Sequence, residues 1–541
     1  MLNLKTSQPT EADKWKLIYP DQSVYGYFLE ITEKSEKNKI LFEENNQAYT
    51  SQDITEMSNK LAKFFDENLV ETNDTISIIL SNSIWFVVAI FASFQVGAKV
   101  TLINPRLSQK EIAFQLTDSE TKVLITSTNI CEKIIEVVKQ FQFKAKIVVT
   151  NEDFDEEKNQ ELISRCDFVV MNSIIESEER FTENRSKSDD IAFLLYSGGT
   201  TGLAKGVMLS HANILANALQ FNEWAKTIPK EDTRLVVSAL PMCHSFGLQC
   251  SFFAPLFRGE KIAIIPKFDP KEILNIIQEK KATSFYGVPT MYVALLRQNI
   301  DQYDTTSLKV CVSGGAALPK EIYSEFKKVT GVNITEGYGL TECSPVTHIN
   351  PYGVSKLNSI GKPLVDTQAK VVNTDTLEEV DYGEIGEIII NGPQVMRGYW
   401  GKGMESINVF TPEKWLRTGD LAYVDAENYF FIVDRSKDII NSGGLKVYPR
   451  EVEEIIYRHP KVSLVAVVPV PDEYFGEVGK AFIVLKEGES ATPEEFKEFC
   501  LKESLTRYKI PKSFEMIDKL PLSAAGKVLK RELVQRKIDK Q

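Results

Sequence analysis

The sequence predicts an α/β protein: a large N-terminal region of layered α/β subdomains with a β-rich subdomain, followed by a small α+β C-terminal domain. Three observations lead there. Through the first 350 residues, short apolar runs of strand length alternate with amphipathic helical stretches, the pattern of largely parallel sheets covered by helices. Past residue 360 the pattern turns β-rich, with tight turns between strand candidates. From residue 434 a new α+β unit begins. A chain of 541 residues is too long for one ordinary core. The boundary falls at Asp434, giving domains 1–434 and 435–541.

In order, residues 1–25 read as a loose lead-in. Residues 27–32 and 61–65 lie in amphipathic helical stretches, and 75–80 read as a strand. The run IWFVVAIFA at 84–92, bounded by Asn82 and Gln95, is too short to span a bilayer and reads as a buried helix. Residues 99–103 and 123–126 are further strands. The polar stretch 151–190 reads as surface structure and a connector, its charge run a solvated face. The apolar run 191–195 reads as a buried strand. Strand candidates follow at 236–240, 262–265, 285–288 and 310–313, then at 368–372, 387–390 and 430–433. In the last unit, 451–457 and 493–503 read as helices, and 465–470 and 480–485 as strands.

A net charge of -12 disfavours general nucleic-acid binding. Hydrophobic content of 43% and charged content of 26% suit a soluble globular chain. The seven cysteines are scattered and odd in number, and residues 1–16 hold no apolar core of a secretory signal, so reduced thiols in a cytoplasmic protein are expected. Contact with the inner face of a membrane stays open. The four histidines are too dispersed for a zinc site.

Seven runs carry chemistry. The first is YSGGTTGLAKGV at 196–207. Glycines let backbone amides approach an anion, threonines add hydroxyl donors, and Lys205 adds a full charge. This is phosphate-binding chemistry but not the Walker type, since Ala204 precedes Lys205 and Gly206 follows it. The bland alternative is a flexible glycine-rich hairpin. The second, LPMCHSFG at 240–247, places His244 where it can bond a carboxylate or gate a pocket; packing beside Met242 and Phe246 is the alternative. The third, SGGAALP at 313–319, leaves room for a flat ring or an extended chain.

The fourth, TEGYGLTECS at 335–344, offers the Tyr338 ring to a base and the oxygens of Thr341 and Glu342 to a magnesium–phosphate assembly; alone it reads as a turn. The fifth, WLRTGD at 415–420, ends in Asp420, a carboxylate suited to a ribose diol. The sixth, DRSKDIINSGGLKVYP at 434–449, reads as a hinge at the domain junction. The seventh, LSAAGKVLKREL at 522–533, holds Lys527 in a small-residue loop, with a basic tail as the bland reading.

These seven runs, in this order, resemble the adenylate-forming superfamily: acyl-CoA synthetases, beetle luciferases and the adenylation domains of peptide synthetases. The resemblance covers residues 25 to 535. The runs at 196–206, 336–343, 392–400 and 447–453 look most like bacterial medium- and long-chain fatty-acid–CoA ligases. The resemblance implies two steps: a carboxylate attacks ATP to give an acyl-adenylate and pyrophosphate, then the thiol of coenzyme A takes the acyl group and releases AMP. It implies that Ser197, Gly198, Gly199, Thr200, Thr201, Gly202 and Lys205 hold the β- and γ-phosphates. Gly315, Ala316 and Tyr338 would border adenine, in runs that include Glu336, Gly337 and Gly339.

Thr341 would contact the α-phosphate and Glu342 would bind Mg²⁺. Asp420 and Arg435 would hold the ribose, and Lys527 would bridge the carboxylate and the α-phosphate. His244 joins Lys527, Thr341 and Glu342 in the expected catalytic set. No general base is required, because a carboxylate is already ionised at neutral pH; catalysis is positioning and charge neutralisation. For the second step, the small domain would rotate about Lys437, moving Lys527 out and bringing Ser442, Gly443 and Gly444 in to line a pantetheine tunnel.

Two departures stand out: Ala204 replaces a common proline, and GKGMESIN at 401–408 lacks the usual Asn-Pro-Glu-x-Thr run. Neither is expected to touch a catalytic contact. The rival readings are an enzyme that loads a carrier-protein phosphopantetheine and a non-catalytic nucleotide-binding protein. Acyl length is not legible; it depends on packing near Tyr286, Gly287 and Val346.

Overall fold

Apolar strand-length runs pair into two large sheets that are mainly parallel, as the alternation of strands and helices requires. The structure, a computed structural model, describes residues 16–36, 38–141, 143–150, 168–197, 204–229, 234–354, 356–523 and 528–538. One sheet has seven strands, in the order Phe168–Val170, Lys146–Thr150, Thr121–Ser127, Thr75–Ile79, Lys99–Leu102, Ile191–Ser197 and Lys205–Ser210. The first six are parallel; the last pairs antiparallel with Ile191–Ser197. The other has nine strands. Six parallel ones form its middle: Ile334–Gly339, Val310–Ser313, Ser284–Gly287, Leu235–Ser238, Lys261–Ile264 and Ile40–Glu44. Antiparallel strands close both of its edges.

The helix Ile84–Gln95 is buried on every face and belongs to the main core, as its unbroken apolar run demands. Among the described residues no helix is long and apolar enough to cross a membrane. A four-stranded antiparallel sheet, Gln368–Val372, Gly386–Asn391, Leu416–Val424 and Phe430–Arg435, is the β-rich subdomain. A separate C-terminal domain follows. Its five-stranded sheet joins Leu445–Val447, Ile440–Ser442, Gly476–Leu485, Val462–Asp472 and Ser513–Met516, with apolar cores of its own around Val467 and Val468.

Three expectations change. The stretch 151–190 is not simply a surface connector: residues 151–167 lie outside the described residues, but Phe168–Val170 adds an edge strand, and Met171 and Ile174 are buried. The lead-in is tied down from residue 16. Asp366 accepts hydrogen bonds from the Lys16 amide at 2.5 Å, the Leu17 amide at 2.9 Å and the Tyr19 hydroxyl at 2.8 Å. Finally, the run 335–344 is strand before it is turn. Ile334–Gly339 pairs in the nine-stranded sheet, and only Thr341–Cys343 forms a 3₁₀ turn.

Candidate nucleotide and carboxylate site

The site lies where strand ends from both large sheets meet the four-stranded sheet. Its centre is the turn after Ile334–Gly339. Gly339 permits that turn: a Cβ there would sit 2.0 Å from the Pro345 carbonyl oxygen. Behind it runs the helix His211–Ala225, capped by Ser210 and polar on a buried face. Its Asn217 side chain donates to the Val346 carbonyl at 2.6 Å and accepts from the Val346 amide at 3.1 Å. Its Asn213 donates to the carbonyls of Pro393 and Val395 at 2.8 and 3.0 Å. One buried helix thus fixes both the 341–346 turn and the 392–400 run.

The strands Leu416–Val424 and Phe430–Arg435 pair with Asp420 opposite Arg435. Asp420 is buried. Its carboxylate accepts from the Tyr338 hydroxyl at 2.6 Å and pairs with Arg435 Nε at 3.0 Å. Burial, then the Asp420 charge, holds the Tyr338 phenol well above its usual pKa, so it stays a donor. Lys437 follows in an adjoining turn, where loss of water and then the Arg435 charge pull its ammonium below the usual lysine range.

Glu342 is gripped from two sides. Ser197 Oγ donates to its carboxylate at 3.5 Å and the Tyr399 hydroxyl donates to the same oxygen at 3.0 Å. The Met396 amide holds its backbone carbonyl at 2.8 Å. Thr341 Oγ1 lies 3.3 Å from Ser245 Oγ, on the loop that carries His244. His244 is exposed, and its Nδ1 accepts from the Phe246 amide at 3.3 Å. The oxygen donors of Glu342, Thr341 and Ser197 fit a hard cation such as Mg²⁺, which takes few protein ligands and completes its shell with phosphate and water.

The expected phosphate loop is described only at its flanks. Gly198, Gly199, Thr200, Thr201 and Gly202 lie outside the described residues, and so does Lys527. Ser197 and Lys205 pair across the two antiparallel strands. Lys205 Nζ lies 2.5 Å from the Glu405 carboxylate and 5.0 Å from the centre of the Tyr399 ring. Glu405, in the stretch 401–408, thus pairs with a lysine expected to hold phosphate, though not with any of the expected catalytic residues. Gly315 and Ala316 follow the strand Val310–Ser313 and are exposed. Glu336 is buried and its Oε1 accepts from the Leu318 amide at 3.3 Å, so it braces the 314–318 segment. Burial, offset in part by Arg450, pushes its carboxyl up to about 7.

Ser442, Gly443 and Gly444 stand apart from this cluster. They turn a hairpin of the C-terminal sheet, where the Gly443 amide donates to the Phe475 carbonyl at 2.7 Å. Sequence reasoning missed Tyr399, Ser245, Phe246 and Glu405 as site neighbours. Tyr399 lay in a run noted only for likeness, and Ser245 beside a histidine that drew the attention.

Residues 29–400 match the AMP-binding enzyme family, and residues 451–527 match the AMP-binding enzyme C-terminal domain. The chain belongs to the AMP-binding enzyme family. This AMP-binding enzyme is 38% identical over 514 residues to a long-chain-fatty-acid–CoA ligase of Bacillus subtilis (strain 168), covering 91% of this chain and 90% of that one. It also resembles the ATP-bound crystal structure of MatB from Rhodopseudomonas palustris, at 26% identity with a TM-score of 0.85, over 96% of this chain and 100% of that one. Against apo MatB, with the same identity and coverage, the TM-score is 0.75.

Proposed function

We propose that this AMP-binding enzyme is an ATP-dependent fatty-acid–CoA ligase. A fatty-acid carboxylate oxygen attacks the α-phosphorus of ATP, the bond to the β-phosphate bridge oxygen breaks, and pyrophosphate leaves. The sulfur of coenzyme A then attacks the acyl carbon, its thiol proton is lost, and AMP departs with the acyl C–O bonding pair. The observation that carries the reading is the convergence of five distant sequence runs: Tyr338, Asp420 and Arg435 joined by hydrogen bond and ion pair, with Glu342 held by Ser197 and Tyr399. The long-chain ligase of B. subtilis, alike over nine-tenths of both chains, supports the acid class.

In this reading Asp420 and Arg435 hold the ribose, Tyr338 lies against the base, and Thr341 points its hydroxyl at the α-phosphate. Glu342 would hold Mg²⁺, which when bound supplies charge neutralisation to the phosphates. Lys205 leaves Glu405 for the outer phosphates, an exchange made easy because a surface pair of this kind contributes only about 0–1 kcal/mol. Lys527 supplies the cation between carboxylate and α-phosphate. The boundary near Asp434 and the pivot at Lys437 divide a nucleotide-loading domain from a rotating one, and residues 442–444 serve coenzyme A.

The test is a pyrophosphate-release assay with ATP, Mg²⁺ and a panel of straight-chain acids, with and without coenzyme A. Acid-dependent pyrophosphate release, and acyl-CoA only when coenzyme A is added, is the expected result. No acid-dependent release would point to a non-catalytic binding protein. Release without transfer to coenzyme A would point to a carrier-protein acceptor.

A further inference from the structure

Asn82 lies outside every run singled out by the sequence, where it served only to bound an apolar helix. It follows the strand Thr75–Ile79 of the seven-stranded sheet and precedes Ser83, which caps the helix Ile84–Gln95. Its side chain crosses to the nine-stranded sheet. The carboxamide nitrogen donates to the carbonyls of Leu240 at 2.9 Å, Ile265 at 3.1 Å and Ser238 at 3.4 Å. Its oxygen accepts from the Met242 amide at 2.7 Å. Asn82 is buried, so each partner it satisfies would otherwise be a backbone group shut away from water.

Leu240 and Met242 are the root of the 240–246 loop, Ser238 ends the strand that leads into it, and Ile265 follows the neighbouring strand Lys261–Ile264. The loop's far side makes the site contacts already described: Ser245 Oγ lies beside Thr341 Oγ1, and Phe246 and His244 are bonded to each other. The Phe246 ring covers Gly314, where a Cβ would approach it to 3.2 Å. A short side chain with donors and an acceptor on one planar group is needed to hold three carbonyls and one amide at once. Asparagine meets that need; aspartate would set a carboxylate against carbonyl oxygens.

We propose that Asn82 is the positioning residue of the acid-binding loop: it locks the end of one sheet to the loop root of the other and so sets where His244, Ser245 and Phe246 stand. It touches no substrate itself. The inference rests on the proposed ligase function and on reading the 244–246 loop, whose His244 can bond a carboxylate and whose Ser245 meets Thr341, as the border of the carboxylate substrate.

The experiment is a double-mutant cycle. Adenylation is measured for Asn82→Ala, His244→Ala, Phe246→Ala and the pairs Asn82→Ala/His244→Ala and Asn82→Ala/Phe246→Ala, with kcat/KM for the acid and KM for ATP taken separately. Because a misplacement of about 1 Å costs roughly 10²-fold, Asn82→Ala should lower kcat/KM for the acid by about 10- to 100-fold. The KM for ATP should move far less. His244→Ala and Phe246→Ala should each cost much less in the Asn82→Ala background than in the wild type, since residues that act as one unit are not additive.

If Asn82→Ala melts too low to assay, Asn82→Ser, which keeps a short donor and acceptor, carries the same cycle. Additive losses, wild-type kinetics in the variant, or equal loss of acid and ATP use would overturn the proposal. If His244→Ala and Phe246→Ala both leave acid kinetics unchanged, the reading of the loop as acid-binding fails first, and the proposal with it.

Discussion

Asp420 and Gly443 stand close in sequence but in opposite circumstances. Asp420 is buried and held by both Tyr338 and Arg435. Gly443 turns an exposed hairpin whose neighbours Leu445, Phe475 and Tyr474 are 50%, 42% and 86% exposed. The difference separates a cluster held by its own contacts from a hairpin open to water. Tyr338, Asp420, Arg435 and Glu342 are already held by hydrogen bonds and an ion pair, while Gly443 and Gly444, two of the residues proposed to serve coenzyme A, are exposed.

The sharpest way to break that comparison is Lys527→Ala. If Lys527 supplies the charge at the α-phosphate as proposed, its loss should lower adenylate formation by roughly 10²–10³. Thioester formation from a pre-made acyl-adenylate should survive if the proposed rotation has carried Lys527 away by then. Equal loss of both half-reactions would mean that the two steps share one arrangement.

Glu342→Gln sharpens the preassembled side. It keeps the shape that Ser197 and Tyr399 grip but removes the anionic ligand, so ATP use should weaken by about tenfold or more, with a higher Mg²⁺ requirement. An unchanged Mg²⁺ titration would place the metal elsewhere.

The next effect is on stability rather than on rate. Glu336 titrates at about 7 in the folded chain, against an ordinary value of about 4.5. Between those values the folded state keeps a proton that the unfolded state releases, so Glu336 makes stability fall as pH rises through that window. Glu336→Gln removes this contribution, worth on the order of 3 kcal/mol at full ionisation. The variant should therefore gain melting temperature relative to wild type as pH goes from about 5 to about 8. The comparison must be a difference, because His211 and His348, pushed down to about 3 by burial, slope the other way. A constant difference across pH would show that Glu336 is ionised throughout.

Much of this was legible in the sequence, for physical reasons. Strands such as Val310–Ser313 and Thr75–Ile79 are wholly buried, so each shows as a short, mostly apolar run. Tyr338, Glu342 and Asp420 were singled out in the runs at 335–344 and 415–420, and the structure brings Tyr338 and Asp420 into hydrogen-bond contact and ties Glu342 to Ser197 and Tyr399. What escaped notice depends on distant partners. The strand Ile334–Gly339 is glycine-rich and reads as a turn until its neighbours in the sheet are known. Glu405 meets Lys205 across two hundred residues, and Asn82 meets the 240 loop from another sheet; neither bears a local mark of its task.

The central claim is that one chain uses two arrangements about a pivot at Lys437, in the turn that leads from Phe430–Arg435 to Ile440–Ser442. Lys437→Pro tests it most directly, since proline fixes φ near about −65° where a hinge must change it. Both half-reactions are measured on the same preparation, beside its melting temperature. The account predicts a stable protein in which adenylation continues near the wild-type rate while thioester formation from the adenylate falls by about tenfold or more. A stable variant with both half-reactions at the wild-type rate, or with both lowered alike, would contradict it.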